Sequence, residues 1–163
     1  AHAIMLALEG IPAVYIQSLF GSRNDYRRLE HTGRNRSINR HIWQVDDLEQ
    51  TLADKNSTHA KVFDELNRLI DIRKQQSAFH PNATQFTLHL GTEVFAFWRQ
   101  SMSRNQSIFC LSNVTDQIQL INLTDINLIS TDSWRDLISD ENIADLGSQL
   151  HLQPYQTLWI SNF

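Results

Sequence analysis

The 163-residue sequence contains a single cysteine, Cys110. One thiol cannot close an intramolecular disulfide, and no Cys-rich metal pattern is present. That fits a reducing compartment. No apolar run approaches the roughly 20 residues that a membrane span needs. The opening AHAIMLALEG is apolar but lacks the basic start of a secretory signal. Surplus positive charge is also missing. The net charge is -4, whereas general affinity for nucleic acid or an anionic membrane needs an excess of Lys and Arg. The seven histidines show no HExxH or similar metal spacing, so no metal is expected. Ser18 lacks the G-x-S-x-G context of a hydrolase nucleophile. Asp46-Asp47, Asp64-Glu65 and Asp140-Glu141 are adjacent pairs. Neighbours on a helix diverge, so these pairs read as caps or solvated surface. A retaining glycosidase needs two carboxyl groups about 5 Å apart. None of these pairs is therefore a convincing acid/nucleophile pair. There is no internal repeat and no low-complexity tract.

What is present divides by texture. Residues 1–10 favour helix and stop at Gly10. The chain opens without Met and without a helix entry signal, so an earlier part is expected to precede it. IPAVYI reads as a buried parallel strand, apolar on both faces. Helix, glycine turn and buried strand make the αβ step of an α/β fold. Residues 17–45 show no periodicity, and a stretch that long is usually functional or disordered. Asp46 or Asp47 is expected to cap a short helix through Ala53, and Asn56 or Ser57 a longer one ending before Ser77. Beyond Pro81, TQFTLHL, VFAFWRQ, SIFCLSN, QIQLINL and YQTLWI read as strands of a small antiparallel sheet or sandwich. In the first of them, Phe86, Leu88 and Leu90 share one face. The expected domains are thus 1–80, α/β, and 81–163, antiparallel β.

The densest chemical feature is a run of six arginines, Arg23, Arg27, Arg28, Arg34, Arg36 and Arg40, drawn from 14 Lys plus Arg in the chain. Only Asp25 and Glu30 oppose them within residues 23–40. The planar guanidinium fork suits phosphate, carboxylate or sugar hydroxyls. Two readings stay open: an anion or polar-substrate site, or a loop held by Arg–carboxylate and Arg–carbonyl bonds. In α/β sheets and barrels, ligands bind on loops that follow the strands. His31 and His41 lie in or beside this loop and are candidates for contact with substrate. The other histidines read as surface or capping residues. Cys110, Trp98, Trp134 and Trp159 read as core, the tryptophans with a second reading as a sugar-stacking row.

Three stretches together carry a resemblance: GIPAVYIQSLFGSRND (10–25), GRNRSINR (33–40) and the helix running into AFHP at Pro81. They resemble the sucrose phosphorylase group of the α-amylase superfamily (glycoside hydrolase family 13), which includes sucrose, sucrose 6-phosphate and glucosylglycerate phosphorylases. The R-x-I-N-R pattern at Arg36, Ile38, Asn39 and Arg40 is the most specific part. The resemblance implies the end of a (β/α)8 barrel at 1–80 (end of helix 7, strand 8, Arg-rich loop, helix 8) and a C-terminal β domain at 81–163. The catalytic carboxylates would lie upstream, so this chain alone should be inactive. Arg36 matches the family Arg of the acceptor site and would hold phosphate. Asn24, Asp25, Asn39 and Arg40 match motif positions expected to shape the loop. Gln17 stands where the family pattern often has His, which leaves the acceptor open. The implied parent is a cytoplasmic, retaining phosphorylase that converts a glucoside such as sucrose or glucosylglycerate to glucose 1-phosphate. Its partners would be a small sugar and inorganic phosphate, with no organic or metal cofactor, nucleic acid or membrane. An amylase-like hydrolase or transglycosylase, and a non-catalytic carbohydrate-binding or structural β module, are the competing readings. A lone barrel strand has unpaired edges. Residues 1–45 are therefore expected to be partly disordered, rearranged or self-associated, and 56–163 to fold as a unit.

Overall fold

The structure, a computed structural model, describes residues 1–126, 128, 133–143, 147 and 149–162. The chain packs into two compact units. One comprises Ala1–Pro12 with Leu69–Phe163, the other Ala13–Arg68. This is a division by packing.

The first unit is built on a six-stranded antiparallel sheet. Its strands are β1 (Thr84–His89), β2 (Val94–Gln100), β3 (Ser107–Asn113), β5 (Trp134–Asp136), β6 (Asn142–Ile143) and β8 (Thr157–Asn162), in the order β1-β2-β3-β8-β5-β6. Strands β4 (Gln119–Asn122) and β7 (Gln149–Leu152) form a separate antiparallel pair. Side chains alternate across the sheet. Ala96, Leu111 and Leu158 lie in cross-strand register. They share a core with Val94, Phe109, Ile121, Leu123, Ile126, Trp134, Leu152 and Ile160. On the opposite face, Phe97, Cys110 and Trp159 stand in register. They pack with Leu6, Ala7, Leu69, Ala78 and Phe79. Strand β3 is covered on both faces, which explains its near-continuous apolar run IFCL. Cys110 is a buried free thiol, and burial pushes it well above its ordinary value.

Helix α1 (His2–Ala7) is short and has no side-chain cap. Two buried arginines hold its C-terminal end. Arg99 is 0% exposed and donates to the carbonyls of Ala7 (2.8 Å), His80 (2.9 Å) and Ala83 (3.3 Å). Arg73 donates to the carbonyls of Leu6, of Leu8 at 3.4 Å and of Gly10 at 2.9 Å. Cations at a helix C-terminus satisfy its orphan carbonyls and oppose its negative dipole end. Burial lowers both guanidinium pKa values from the ordinary one. Both cations lie about 6 Å from the Phe79 ring.

Two buried polar side chains fix the remaining turns of this unit. Asn113 donates to the carbonyls of Gln117, Leu152 and Gln153 and accepts from Thr115, tying β3 to the β4–β7 pair. Asp136 accepts from Trp159 N–H at 2.7 Å and Ser139 N–H at 2.8 Å.

The second unit carries α2 (Ile16–Leu19), α3 (Tyr26–Thr32), a 3₁₀ turn at Asn35–Ser37, α4 (Val45–Ala53) and the first part of α5 (Thr58–Gln75). The Ser57 hydroxyl caps α5 by accepting from Ala60 N–H at 2.9 Å. Gly21 has φ +60°, and an added Cβ there would lie 3.1–3.3 Å from the Val62 side chain. The chain therefore needs glycine at this turn.

Three local expectations change. Residues 11–15 form no strand, and Ile11 is 85% exposed. A parallel strand needs hydrogen-bonding neighbours at its edges, and no described strand of this chain pairs with it. The stretch 17–45 is not wholly irregular, since it holds two short helices and a 3₁₀ turn. Helix α4 starts at an N-cap Gln44, and Asp46 and Asp47 lie in its first turn, where they favour the helix dipole without capping.

Candidate functional site

The site lies within residues 13–68 and is organised by Asp25. Its Oδ1 accepts from Arg28 N–H at 2.9 Å, which caps α3. Its Oδ2 lies 3.1 Å from His41 Nδ1. Its main-chain N–H donates to the Ile38 carbonyl at 2.6 Å. One residue therefore starts a helix and holds both sides of Asn39-Arg40. Helix α3 stops at Gly33, which takes the left-handed conformation (φ +62°). The Arg28 N–H and then His41 hold the Asp25 carboxyl below its ordinary value.

A ring of aromatic contacts closes one wall. The His41 and Trp43 rings meet edge-to-face at 4.8 Å, and Trp43 and His59 do so at 5.1 Å. The Trp43 indole N–H donates to the Ser22 hydroxyl at 2.8 Å. His59 Nδ1 lies 2.8 Å from the Phe20 carbonyl, an acceptor only, so this nitrogen carries the proton.

These groups border a groove of about 850 Å³. Arg23, Arg27, Arg28, His31, His41 and His59 supply nitrogen. Tyr26 and Trp43 supply ring surface, and Asn24 and Asp25 complete the lining. Asp25 is the only acid among the lining residues, and both its oxygens are already engaged. Arg23, Arg27 and Arg28 pair with no carboxylate among the described residues. Arg28 Nε is buried without a partner.

The residues singled out from sequence fall in different places. Asn24 and Asp25 line the groove. Gln17 donates to the His41 carbonyl at 2.9 Å, and its Oε1 is buried without a partner. Asn39 contributes its carbonyl to the Tyr15 hydroxyl at 3.2 Å. The Arg40 N–H donates to the Ser37 carbonyl at 3.2 Å. Arg36 sits exposed in the Asn35–Ser37 turn, outside the groove lining, and no carboxylate among the described residues pairs with it. Beneath that turn, Thr32 Oγ1 and the buried Ser37 Oγ are 2.8 Å apart. Trp43 and His59 are groove residues that sequence reasoning passed over. The i, i+2 spacing of His41 and Trp43 in extended chain carries a signal that both lie on one side. His59 comes from a separate helix, and no spacing announces it.

No protein-family profile matches the chain. Individual relatives do. The chain is 38% identical to the glucosylglycerate phosphorylase of Escherichia coli K12 over 161 residues, 98% of this chain and 27% of that protein. It is 39% identical to that of Allomeiothermus silvanus over 98% of this chain and 26% of that protein. The sucrose phosphorylase of Bifidobacterium adolescentis is 25% identical over 90% of this chain and 26% of its own length. The chain thus spans about a quarter of the curated relatives it matches. Among solved structures, AmyP in complex with maltotriose superposes with TM-score 0.74 at 14% identity, over 98% of this chain and 33% of that one. A trehalose-6-phosphate hydrolase of Bacillus licheniformis superposes with TM-score 0.67 at 16% identity, over 98% and 37%. These structural likenesses show a shared fold. The extended identity to the phosphorylases shows descent, and the chain belongs to the sucrose phosphorylase group of glycoside hydrolase family 13, whose C-terminal part it matches.

Proposed function

We propose that this chain is the C-terminal part of a retaining sugar phosphorylase that transfers glucose from a glucoside, such as glucosylglycerate or sucrose, to inorganic phosphate. The observation that carries the reading is the 38–39% identity to glucosylglycerate phosphorylases over 98% of this chain. In this reading, residues 1–80 complete a (β/α)8 barrel and 81–163 form its C-terminal β domain. The nucleophile and acid/base carboxylates belong to the upstream barrel, and the 163 residues alone are inactive. The parent enzyme is cytoplasmic and needs no metal or organic cofactor. No helix among the described residues is long and apolar enough to cross a membrane.

The chemistry is two-step. A carboxylate takes the glucosyl group as a covalent ester while an acid protonates the departing oxygen. A phosphate oxygen then attacks the anomeric carbon in place of water, breaking the glucosyl–carboxylate bond and freeing the carboxylate. Arg36 holds the phosphate dianion, contributing position and charge balance in a partly dry pocket. Its lack of a carboxylate partner supports the assignment, because a guanidinium already neutralised would bind an incoming anion weakly. Asp25, with Asn24, Asn39, Arg40 and Gln17, shapes the loop that presents it.

In the full-length enzyme, Arg36→Ala should lower kcat/KM for phosphate by about 100-fold or more, the scale of losing one aimed charge stabiliser. The rate of glucosyl-enzyme formation should change far less, and free glucose should rise relative to glucose 1-phosphate. Unchanged phosphate dependence would remove Arg36 from this role. A wild-type enzyme that releases free glucose alone would be an amylase-like hydrolase instead.

A further inference from the structure

We propose that a separate cavity, beside the six-stranded sheet, binds a small uncharged aromatic carbonyl compound. The ligand ring lies against Trp98, Phe109 and Trp134, and its carbonyl oxygen accepts from the Trp98 indole N–H. The site shares no residue with the groove of residues 13–68 and does not rest on the phosphorolysis reading.

One face of the sheet builds the walls. Trp98 of β2 and Phe109 of β3 stand in cross-strand register, and their rings stack at 5.7 Å with an interplanar angle of 10°. Phe109 meets Trp134 of β5 at 5.5 Å, and Phe86 of β1 stacks on Trp98 at 4.8 Å. Rings on four strands thus hold one another in place before any ligand arrives. Phe109, Trp134 and Ile126 are buried, and they line the cavity with Leu88 and Trp98. Arg104 and Asp125 also line it and are exposed. The inner wall is therefore carbon and ring, and the rim carries the charges.

One atom selects the ligand. The Trp98 indole nitrogen is buried and has no hydrogen-bond partner among the described residues. A buried N–H without an acceptor costs free energy, so an occupant gains by bringing one. Indole only donates, which calls for an acceptor such as a carbonyl oxygen. The rim holds one cation, Arg104, and one acid, Asp125. Their charges cancel, which favours neither an anion nor a cation. Polar capacity for a sugar is short. Asn162 Oδ1 already accepts from Ser107 N–H at 2.6 Å, and Asp125 Oδ2 accepts from the Asn122 amide at 3.2 Å. A pyranose would press several hydroxyls against rings, whereas an aromatic carbonyl brings one acceptor to one donor. The cavity, about 340 Å³, lies near the lower end of the roughly 300–1,000 Å³ of small-molecule sites, a size for one or two rings.

The test titrates the 163-residue chain separately with acetophenone, ethylbenzene and glucose and follows the indole N–H signals of Trp98 and Trp134 by ¹H–¹⁵N NMR. Acetophenone should shift both signals saturably, glucose should shift neither, and signals of residues 13–68 should stay in place. Trp98→Phe keeps a ring and removes the donor. Read at Trp134, it should weaken acetophenone about tenfold, the scale of one hydrogen bond, and leave ethylbenzene unchanged. The rest of the spectrum reports whether the variant folds. A second measurement needs no variant: the carbonyl stretch of acetophenone bound to wild type should fall below its value in an apolar solvent. An unshifted stretch, or equal weakening of acetophenone and ethylbenzene by Trp98→Phe, would overturn the hydrogen bond to Trp98. A saturable shift with glucose would overturn the aromatic class, and no shift with any probe would overturn the site. Each of these failures would leave the proposed phosphorolysis standing.

Discussion

Asp25 shows how much a single carboxylate can organise. Its depressed pKa means that the folded state binds its proton less readily than the unfolded chain does. The stabilisation it gives is therefore present above the ordinary aspartate value and is lost as pH falls through the lower folded value. Asp25→Asn should lower the denaturation midpoint of residues 13–68 at neutral pH. The gap from wild type should close as the pH drops below about 3.9, followed by urea melts across pH 3–7. A gap that stays constant with pH would place the stabilisation elsewhere. Arg99 makes the opposite kind of contribution, a buried cation bonded to three carbonyls and ion-paired with no carboxylate among the described residues. Arg99→Met keeps much of the volume but orphans those carbonyls. Each stranded group costs about 1–3 kcal/mol, partly relieved by rearrangement, so a loss of about 2–5 kcal/mol is expected in urea unfolding of the sheet unit.

At the scale of elements, local chemistry decided what could be read in advance. The strands β1, β2, β3 and β8 announced themselves through alternation or β-branched and aromatic runs, because each lies against one of the two cores. Strands β5 and β6 are two or three residues long, too short for a period to register, and β7 lacks the longer apolar alternation that made β4 readable in QIQLINL. Ser57 was legible as a cap because a serine before an amphipathic run has one dominant use. Ser57→Ala should cost about 1 kcal/mol, measurable as a lowered melting midpoint of the α5 signal by circular dichroism. Helix α3 escaped periodicity because its seven residues rest on Asp25 and Gly33, not on an apolar stripe. The IPAVYI run was misleading in the other direction. Its composition suits a strand, but strand formation depends on partners, and composition cannot supply them. The candidate site was half visible. The arginines and His41 stood out by density, whereas His59 reaches Trp43 from α5 and is found only in three dimensions.

At the scale of the whole molecule, stability should change abruptly within the first dozen residues. The resemblance, with its lone barrel strand, marked residues 1–45 together as the weak part. The packing puts 1–12 with the sheet, and Arg73 and Arg99 hold residues 6–10 by their carbonyls. Glu9 N–H also donates to Gln85 Oε1 at 3.0 Å. Beyond Gly10, residues 11–15 have no strand partner among the described residues, and Ile11, Tyr15 and Ile16 expose apolar surface. Opening free energies follow buried apolar contact and backbone hydrogen bonding. Amide hydrogen exchange should therefore show protection at Met5 and Leu8, which donate to Ala1 and Ile4, and near-unprotected exchange at residues 13–16. The central strands β3 and β8, paired and covered by the cores, should exchange slowest. The measurement belongs at concentrations where sedimentation velocity shows a monomer, since the exposed apolar residues at 11–16 favour self-association. Uniformly slow exchange across 1–45 in that monomer would mean that the segment finds partners within this chain. A step at residues 10–11 would mean that the two arginines, not the apolar run after them, decide where order begins.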